Sequence, residues 1–207
     1  MKKITILVLS ITLLYIILFL FFDQKIDLWI HNNIAGTRIE TIGTIISNFA
    51  YGAYVKLALA IGFIFIAITD PWIKKRHTKN LFYILVTIII AIIIGEGFKY
   101  LFGRYRPVML FDHNLYGMQF FSTEWEINSS PSGHSIRAFA FFTALSLLYR
   151  RYAVLFILLA LMVSVSRIVV TAHYPSDVLF GAFIGTMTAI WMYRYWMEWN
   201  NHLDTKE

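Results

Sequence analysis

The chain has 207 residues, of which 58% are hydrophobic and only 14% are charged. Because a typical soluble domain has roughly 45–50% apolar and about 25% charged residues, this composition excludes an ordinary soluble protein and indicates an integral membrane protein. The net charge of +6 is interpreted as attraction to an anionic membrane leaflet, and nucleic acid is not expected as a partner because no soluble domain is predicted that would present a basic face.

Six apolar runs fit helices that cross a bilayer, a distance that takes about 20 helical residues. All six are predicted to be helical because the lipid interior cannot satisfy the polar groups of an open backbone. The expected fold is therefore all-α, a polytopic membrane helical bundle with six transmembrane helices in one domain over residues 1–207. In chain order the predicted spans are Ile4–Phe22, Gly52–Thr69, Leu81–Phe98, Ser135–Tyr149, Tyr152–Val170 and Val178–Tyr195.

Two features precede the second span. The first apolar run is predicted to be a retained helix rather than part of a signal peptide, because it is longer than the usual apolar core and "FFDQKID" offers no small-residue cleavage site. The segment from Asp23 to Ala50 is too polar to span and too apolar for a free loop, and its apolar residues recur at roughly helical spacing. A helix along the membrane surface is one interpretation, and an irregular connection is the other.

Lysine and arginine are concentrated in alternate connections, and this distribution predicts the orientation of the chain. Basic residues stand before the first span, in Asp70–Asn80, in Tyr149–Tyr152 and after the sixth span. Both termini are therefore expected on the cytoplasmic side. The membrane is expected to be the inner (plasma) membrane, since outer-membrane spans are normally barrels. An aromatic belt is expected at that interface from Trp191, Tyr193, Tyr195, Trp196 and Trp199.

Three polar clusters fall on the opposite, outer side of the predicted bundle. They are Lys99–Pro107 after the third span, Pro131–His134 before the fourth, and Ser166–Asp177 between the fifth and the sixth. Ionisable residues at membrane depth are costly and usually mark a site. Three such clusters on one face therefore predict a functional site there, and the absence of cysteine from the chain excludes thiol chemistry.

The residue types in these clusters favour an anionic ligand. Lys99, Arg106 and Arg167 supply fixed positive charge: a planar guanidinium suits phosphate oxygens, and an ammonium adds a point charge. Ser132 and Gly133 would open a helix whose first backbone N–H groups lack partners, which makes a ready anion site. Glycine there would let the anion approach the backbone closely.

His134, His173 and Asp177 add acid–base chemistry to the same face. Imidazoles exchange protons near neutral pH, and Asp177 lies four residues after His173. The carboxylate could accept a hydrogen bond from one imidazole nitrogen and leave the other aimed at the substrate. Such an arrangement is typical of a nucleophile or base that a third group orients.

The order and spacing of these residues resemble a known family. The pattern is a lysine, six residues and Arg-Pro in Lys99–Pro107; Pro-Ser-Gly-His in Pro131–His134; and Ser-Arg, five residues, histidine, three residues and aspartate in Ser166–Asp177. It is similar to the three motifs of the type 2 phosphatidic acid phosphatase superfamily, the membrane lipid phosphate phosphatases. Every motif position is filled, and the motifs cover about residues 95–180.

The resemblance implies a reaction and a set of roles. It implies that His173 attacks phosphorus and forms a phosphohistidine, that Asp177 orients His173, and that His134 protonates the leaving oxygen and then activates water. It also implies hydrolysis without a metal or another cofactor, since the cations already supply the charge that a metal would bring. The phosphoryl oxygens would be held by Lys99, Arg106, Ser132, Gly133 and Arg167.

Three further charged residues lie near these motifs. Arg104 is expected to anchor a lipid phosphate rather than to take part in catalysis. Arg137, one turn after His134, is expected either to touch the substrate headgroup or to pair with a structural acid. Glu96 stands three residues before Lys99, a spacing that predicts a helical ion pair.

The expected function is therefore removal of phosphate from a lipid at the outer face of the membrane. Undecaprenyl pyrophosphate, phosphatidylglycerol phosphate, phosphatidic acid and the phosphates of lipid A all fit the motifs, which do not choose among them. Three alternatives stay open: a lipid phosphotransferase that uses the same phosphohistidine, a non-catalytic lipid-binding or transport protein, and a metal-dependent hydrolase with His134, His173 and Asp177 as ligands. No pattern in the sequence predicts the oligomeric state.

Overall fold

The computed structural model describes the backbone of residues 2–204, and the side chains of this range except those of Lys3 and residues 199–204. Within that range the chain is helical and has no β-strand. The helices are α1 (Lys2–Ile17), α2 (Asp23–Ile34), α3 (Arg38–Asn48), α4 (Gly52–Thr69), α5 (Arg76–Phe102), α6 (Pro107–His113), α7 (Gly133–Leu148), α8 (Ala153–Val169) and α9 (Pro175–Asp204).

The lengths and compositions of the helices confirm a multi-pass membrane protein but not the predicted number of spans. Among the described residues, four segments are long and apolar enough to cross a membrane, namely 4–34, 38–69, 76–102 and 150–169. Helix α7 is apolar but has only 16 residues, and α9 begins with a turn that contains Asp177. The all-helical class is therefore confirmed, whereas six transmembrane helices stay a prediction.

The segment from Asp23 to Ala50 is helical, so the irregular connection is wrong. Helix α2 continues α1 through a π-helical segment, Leu18–Phe22, and α3 follows a break at which Gly36 has a φ of +76°. One face of α2 packs inward and buries Asp23 and Asp27 completely. The predicted position of this segment along the membrane surface stays a prediction.

Helix α7 lies at the centre of the bundle and packs against α5, α8 and α9. Two glycines of α9 let it approach α7 closely: a Cβ atom at Gly181 would lie 2.7 Å from the carbonyl oxygen of Ser132, and one at Gly185 would lie 2.6 Å from that of Ile136. Small residues at such contacts allow helix backbones to meet in a membrane protein. The beginnings of α7 and α9, which carry the second and third polar clusters, are therefore held together.

The predicted aromatic belt is only partly correct. Trp191 and Tyr195 are exposed, as expected for that role. Trp196 is buried and stacks on Tyr83 with 5.8 Å between the ring centroids, and Tyr193 meets the same ring edge-on. The prediction for Trp196 is wrong because its helix face turns inward against α5, and the side chain of residue 199 lies outside the described part.

Candidate active site

The three polar clusters converge at one end of the bundle, as predicted. The backbone N–H of Ser132 donates to the carbonyl oxygen of Asp177 at 3.0 Å, which joins the second cluster to the third. The guanidinium of Arg106 donates to the carbonyl oxygen of Ala172 at 3.4 Å, which joins the first to the third. The tertiary structure therefore builds one site from the end of α5, the beginning of α7 and the α8–α9 connection.

The first turn of α7 is surrounded by positive charge. Ser132 is the N-cap residue, and its hydroxyl oxygen accepts a long hydrogen bond of 3.5 Å from the N–H of Ser135. A Cβ atom at Gly133 would lie 3.1 Å from Nη1 of Arg137 and 3.3 Å from Nζ of Lys99. Two cations thus converge on a helix terminus that already carries partial positive charge, and a bound anion would relieve their repulsion.

Lys99 has one acidic partner among the described side chains. Its Nζ atom lies 2.7 Å from Oε1 of Glu96, three residues earlier in α5, so the predicted helical ion pair is confirmed. The lysine side chain is largely buried, whereas the glutamate side chain is 60% exposed. Glu96 therefore holds Lys99 from the solvent side and leaves its opposite side turned towards Gly133.

Arg106 is oriented by backbone carbonyls. Its Nε donates to the carbonyl oxygen of Trp125 at 2.8 Å and its Nη2 to that of Asn128 at 3.2 Å, and the guanidinium lies 4.3 Å from the centre of the Trp125 ring. Burial lowers the pKa of Arg106 to about 10, so the side chain stays charged at neutral pH. Carbonyl oxygens fix its direction but do not neutralise it, which leaves its charge for a ligand.

Arg167 is held in a similar way from α3. Its Nη1 donates to the hydroxyl of Ser47, while its Nε has no hydrogen-bond partner among the described residues. No motif pointed to Ser47, a serine 120 positions away in a segment that was expected to be either a surface helix or an irregular connection. The α3 helix therefore helps to place a cation of the third cluster.

His173 is buried and uncharged. It is only 3% exposed, and burial lowers the pKa of its imidazole to about 3. The ring is therefore neutral at neutral pH and keeps the lone pair that an attack on phosphorus needs. His134, at the second position of α7, is partly buried and lies within electrostatic range of His173 and of three cations, Lys99, Arg137 and Arg167.

The carboxylate of Asp177 lies near Nδ1 of His173, but beyond hydrogen-bond distance. Nδ1 of His173 is 3.8 Å from Oδ2 of Asp177 and has no hydrogen-bond partner in the described part of the chain. The carboxylate is instead occupied by other donors: Ser129 Oγ at 2.6 Å and the N–H of Tyr174 at 3.1 Å both reach Oδ2. The predicted pair is brought together, and a shift of the ring of less than 1 Å would close it.

Arg104 lies in the interior, and the prediction that it anchors a lipid phosphate is wrong. The side chain is fully buried, with Nη1 2.5 Å from Oδ1 of Asp177 and Nη2 2.7 Å from Oδ2 of Asp23. Although burial acts to lower the pKa of Arg104, the two carboxylates raise it above its ordinary value. Arg104 therefore supports Asp177 from behind and does not face the membrane surface.

Asp23 and Asp27 were not singled out from the sequence as site residues. Asp23 accepts hydrogen bonds from the backbone N–H and the hydroxyl of Ser176 as well as from Arg104. Asp27, one turn later, is fully buried, and neither of its carboxylate oxygens has a partner among the described residues. Two acids four residues apart at the end of an apolar run were the available signal, since intramembrane acids usually have a function.

Arg137 does not pair with an acid in the part of the chain that the structure describes. Its Nε and Nη2 both donate to the carbonyl oxygen of Ala50, at 3.0 and 2.8 Å. The side chain also lines an open apolar cavity of about 650 Å³ between side chains of α4, α5, α7 and α8. Of the two expectations for Arg137, the structural acid is therefore wrong.

The metal-ligand interpretation of His134, His173 and Asp177 has no geometric support. Among the side chains that the structure describes, no three His, Cys, Asp or Glu residues form a group that could hold a metal ion. The oxygens of Asp177 already face Arg104, Ser129 and the backbone of Tyr174. The cations around the first turn of α7 suit an anion rather than a metal ion.

Comparison with known proteins gives a consistent picture. Residues 80–201 match the PAP2 superfamily. The lipid A 1-phosphatase of Rhizobium johnstonii is 38% identical over 112 residues, which are 52% of this chain and 46% of the relative, so the matched part spans about half the length of that protein. The bacitracin transport permease protein BcrC of Bacillus licheniformis is 28% identical over 177 residues, which are 84% of this chain and 81% of the relative.

One solved structure extends the likeness to the fold. The crystal structure of Aquifex aeolicus LpxE superposes on this chain with a TM-score of 0.62 and 22% sequence identity. The match covers 84% of this chain and 95% of that chain. At this level of identity the likeness concerns the arrangement of the helices, and it extends beyond the matched residues 80–201.

Proposed function

Since the chain belongs to the PAP2 superfamily, we propose that it is an integral-membrane phosphatase that hydrolyses a phosphomonoester or pyrophosphate lipid through a phosphohistidine, without a metal. One observation carries this proposal: a neutral, buried His173 and a second histidine lie beside Arg106 and Arg167, which form no ion pair among the described residues, and close to an apolar cavity. Together these groups supply a nucleophile, an acid and an anion site, and the nearby cavity could hold a lipid tail.

The reaction takes place in two steps. First, Nε2 of His173 attacks phosphorus, and the bond from phosphorus to the lipid oxygen breaks with its electron pair leaving on oxygen. Burial lowers the pKa of His134, but the negative charge of a bound phosphate would raise it again, so that His134 takes up a proton on substrate binding and donates it to that oxygen. Then His134 takes a proton from water, the water oxygen attacks phosphorus, the N–P bond breaks with its electrons returning to His173, and inorganic phosphate leaves.

Asp177 acts on the positive charge that His173 acquires. Attack by Nε2 turns the imidazole into a cationic phosphohistidine whose Nδ1 carries a proton. Catalytic hydrogen bonds are often long before the substrate binds and tighten in the complex, so the 3.8 Å between Nδ1 and Oδ2 is compatible with this role. The carboxylate would then orient the ring and stabilise its charge.

The apolar cavity supports a substrate with a hydrocarbon tail. Its volume of about 650 Å³ lies within the range of roughly 300–1,000 Å³ that is typical of ligand cavities. Its lining is apolar apart from Arg137, at the end that faces the first turn of α7. A lipid could place its phosphate at the cations and its tail among the side chains of α4 and α5.

The identity of the lipid is not decided by the motif residues, whose proposed roles concern the phosphoryl group and the orientation of His173. The Rhizobium relative is named a lipid A 1-phosphatase, and a relative from Sulfolobus acidocaldarius is named an undecaprenyl-diphosphatase. The candidates therefore remain undecaprenyl pyrophosphate, phosphatidylglycerol phosphate, phosphatidic acid and the phosphates of lipid A. A phosphotransferase would share every step as far as the phosphohistidine and then pass the phosphoryl group to another lipid.

A transport protein is the second candidate, because the name of the Bacillus licheniformis relative describes a permease. A binding or transport protein has no need of a nucleophile and an acid. Both His173 and His134 are present here beside the cations, and this favours hydrolysis.

The site is proposed to face the outer side of the membrane. The basic connections lie at the opposite end of the bundle from the clusters, and the positive-inside rule places such connections in the cytoplasm. A cysteine introduced at Asn114, in the connection after α6, should then react with an impermeant maleimide in intact cells, whereas a cysteine in the basic segment 74–79 should not. The reverse labelling would place the site on the cytoplasmic side.

Phosphate release from purified protein tests the proposed activity. We expect the protein to release inorganic phosphate from at least one of the four candidate lipids, with no loss of rate when EDTA is present. A His173→Ala variant prepared in the same way is the control for contaminating phosphatases. Loss of activity in EDTA, restored by a divalent cation, would show that the metal-independent mechanism is wrong.

The cation clamp, defined as Lys99, Arg106 and Arg167, should contribute strongly to the rate. Removal of one donor that stabilises the charge of a transition state typically costs about 2.7–4 kcal/mol, or roughly a hundredfold to a thousandfold in rate. We expect losses of this size in kcat/KM for each single alanine variant. Arg167→Lys should also be impaired, because it keeps the charge but loses the planar guanidinium.

The exposed Arg194, at the opposite end of α9, provides the matched control. Arg194→Ala removes the same charge and should retain nearly the full rate. Vanadate, which mimics a phosphoryl group in transfer, should inhibit the parent and bind poorly to the three clamp variants. Parent-like vanadate affinity in all three would mean that other residues hold the phosphate.

A further inference from the structure

Arg137 is a cation of the site that none of the three motifs contains. Two of its nitrogens, Nε and Nη2, are fixed on the carbonyl oxygen of Ala50. The third, Nη1, points to the first turn of α7, where it lies 3.1 Å from the position of a Cβ atom on Gly133. One face of its guanidinium is therefore anchored, and Nη1 remains directed towards the place where the anion is expected.

The charge around this place exceeds what one phosphate would neutralise. Four cations, Lys99, Arg106, Arg137 and Arg167, stand against the single carboxylate of Glu96 in the described contacts of these side chains, which gives 4 − 1 = +3. A phosphomonoester carries about −1.5 to −2 at neutral pH. An excess of positive charge therefore remains for a second anionic group.

The position of Arg137 decides where that second group would lie. Its side chain touches both the first turn of α7 and the apolar cavity, so it stands between the reacting phosphate and the space for the tail. In a lipid that ends in two phosphates, the terminal one would meet His173, and the tail would lie in the cavity. The inner phosphate would then lie next to Arg137.

We propose that Arg137 forms a subsite for the inner phosphate of a lipid diphosphate, so that the preferred substrate is a pyrophosphate lipid. This inference rests on the proposed phosphatase function and deepens it. His173 would take the terminal phosphoryl group, and the bridging oxygen would leave with the electron pair of the broken P–O bond as part of a lipid monophosphate. The guanidinium of Arg137 would stabilise the negative charge of that leaving group, and water would then release phosphate from His173.

Two lipids with the same prenyl tail test the subsite: a prenyl diphosphate and a prenyl monophosphate. A hydrogen bond to a charged group typically contributes about 1.5–3 kcal/mol, which corresponds to roughly a 10- to 150-fold change. We expect Arg137→Gln to lower kcat/KM for the diphosphate by this factor more than it lowers kcat/KM for the monophosphate. Arg137→Lys should recover part of the loss, and the exposed Arg194→Gln should change neither value.

Soluble anions give a second readout that does not depend on the lipid tail. With a soluble aryl phosphate as substrate, inorganic pyrophosphate should inhibit the parent more strongly than orthophosphate. Arg137→Gln should abolish this difference. Since Arg137 also connects α7 to Ala50, thermal unfolding of each variant is measured in parallel, and Arg137→Lys serves if the glutamine variant does not fold.

The outcomes separate this inference from the function on which it rests. Equal losses on the two prenyl lipids, or an unchanged preference for pyrophosphate over orthophosphate, would overturn the subsite while the phosphatase activity of the parent still stood. A parent that releases phosphate from none of these compounds would overturn both.

Discussion

Arg104→Ala is expected to lower the free energy of unfolding by about 3–5 kcal/mol, the usual cost of removing one partner from a buried ion pair. The arginine is fully buried between Asp23 and Asp177, so its loss leaves two carboxylates without a counter-charge in a medium that solvates them poorly. For a chain of this length the loss corresponds to a decrease of roughly 6–20 °C in the midpoint of thermal unfolding. Differential scanning fluorimetry of purified protein in detergent measures it.

The partners of Arg104 provide the controls for this prediction. Arg104→Lys keeps the charge but cannot donate two bonds in opposite directions from a planar group, so its midpoint should fall between those of the parent and the alanine variant. Asp23→Asn combined with Arg104→Ala removes one of the two stranded carboxylates and should cost less than the sum of the single changes. A midpoint within about 1 °C of the parent for Arg104→Ala would show that the buried pair does not support the fold.

His173→Ala should abolish the phosphoenzyme. Nε2 of the imidazole forms the covalent bond to phosphorus in the proposed intermediate, and alanine has no nucleophilic group that could replace it. We expect a loss in kcat on the order of a thousandfold or more. Quenching with acid-free denaturant after mixing with ³²P-labelled substrate measures the trapped phosphoprotein, which should be present in the parent and absent from the variant.

His134→Ala separates the two histidines. Loss of a general acid typically costs about a hundredfold to ten-thousandfold, and the loss should be smaller for an aryl phosphate whose departing oxygen is already a stable anion. The variant should therefore still form a phosphoenzyme from the activated substrate but hydrolyse it slowly. A phosphoenzyme in the His173→Ala variant, by contrast, would show that His173 is not the nucleophile.

The location of the site was predictable because its charged and polar residues lie in three short motifs. Each motif is a few residues long and lies at the end of an apolar run, so a charge that the run cannot explain is visible without knowledge of the fold. Lys99 and Glu96 are a case in point: their ion pair follows from the helical spacing of three residues. The meeting of the three motifs at one end was also expected, since helices that cross a membrane in turn bring alternate connections to the same side.

The partners of the motif residues were not predictable, because they come from distant parts of the chain. Asp23 reaches Arg104 across 81 positions, and Ser47 reaches Arg167 across 120. Neither pair follows a periodic pattern, and each depends on how α2 and α3 fold back against the bundle. Arg104 was assigned to the surface for this reason: from the sequence it is a cation at the end of a helix, and its second carboxylate lies in a segment that was expected to be a surface helix or a connection.

The sequence by itself determined that the chain is a helical membrane protein whose three polar clusters lie at the same end of its helices, because apolar length and local charge spacing depend only on neighbouring residues. Only the tertiary structure decided that Arg104 is buried, that Arg137 lies between the first turn of α7 and the cavity, and that Nδ1 of His173 lies 3.8 Å from Asp177. These properties depend on the packing of α7 against α9, where Gly181 lets the backbones meet. Burial and distance arise from contacts between helices, and no local pattern specifies which helix faces will meet.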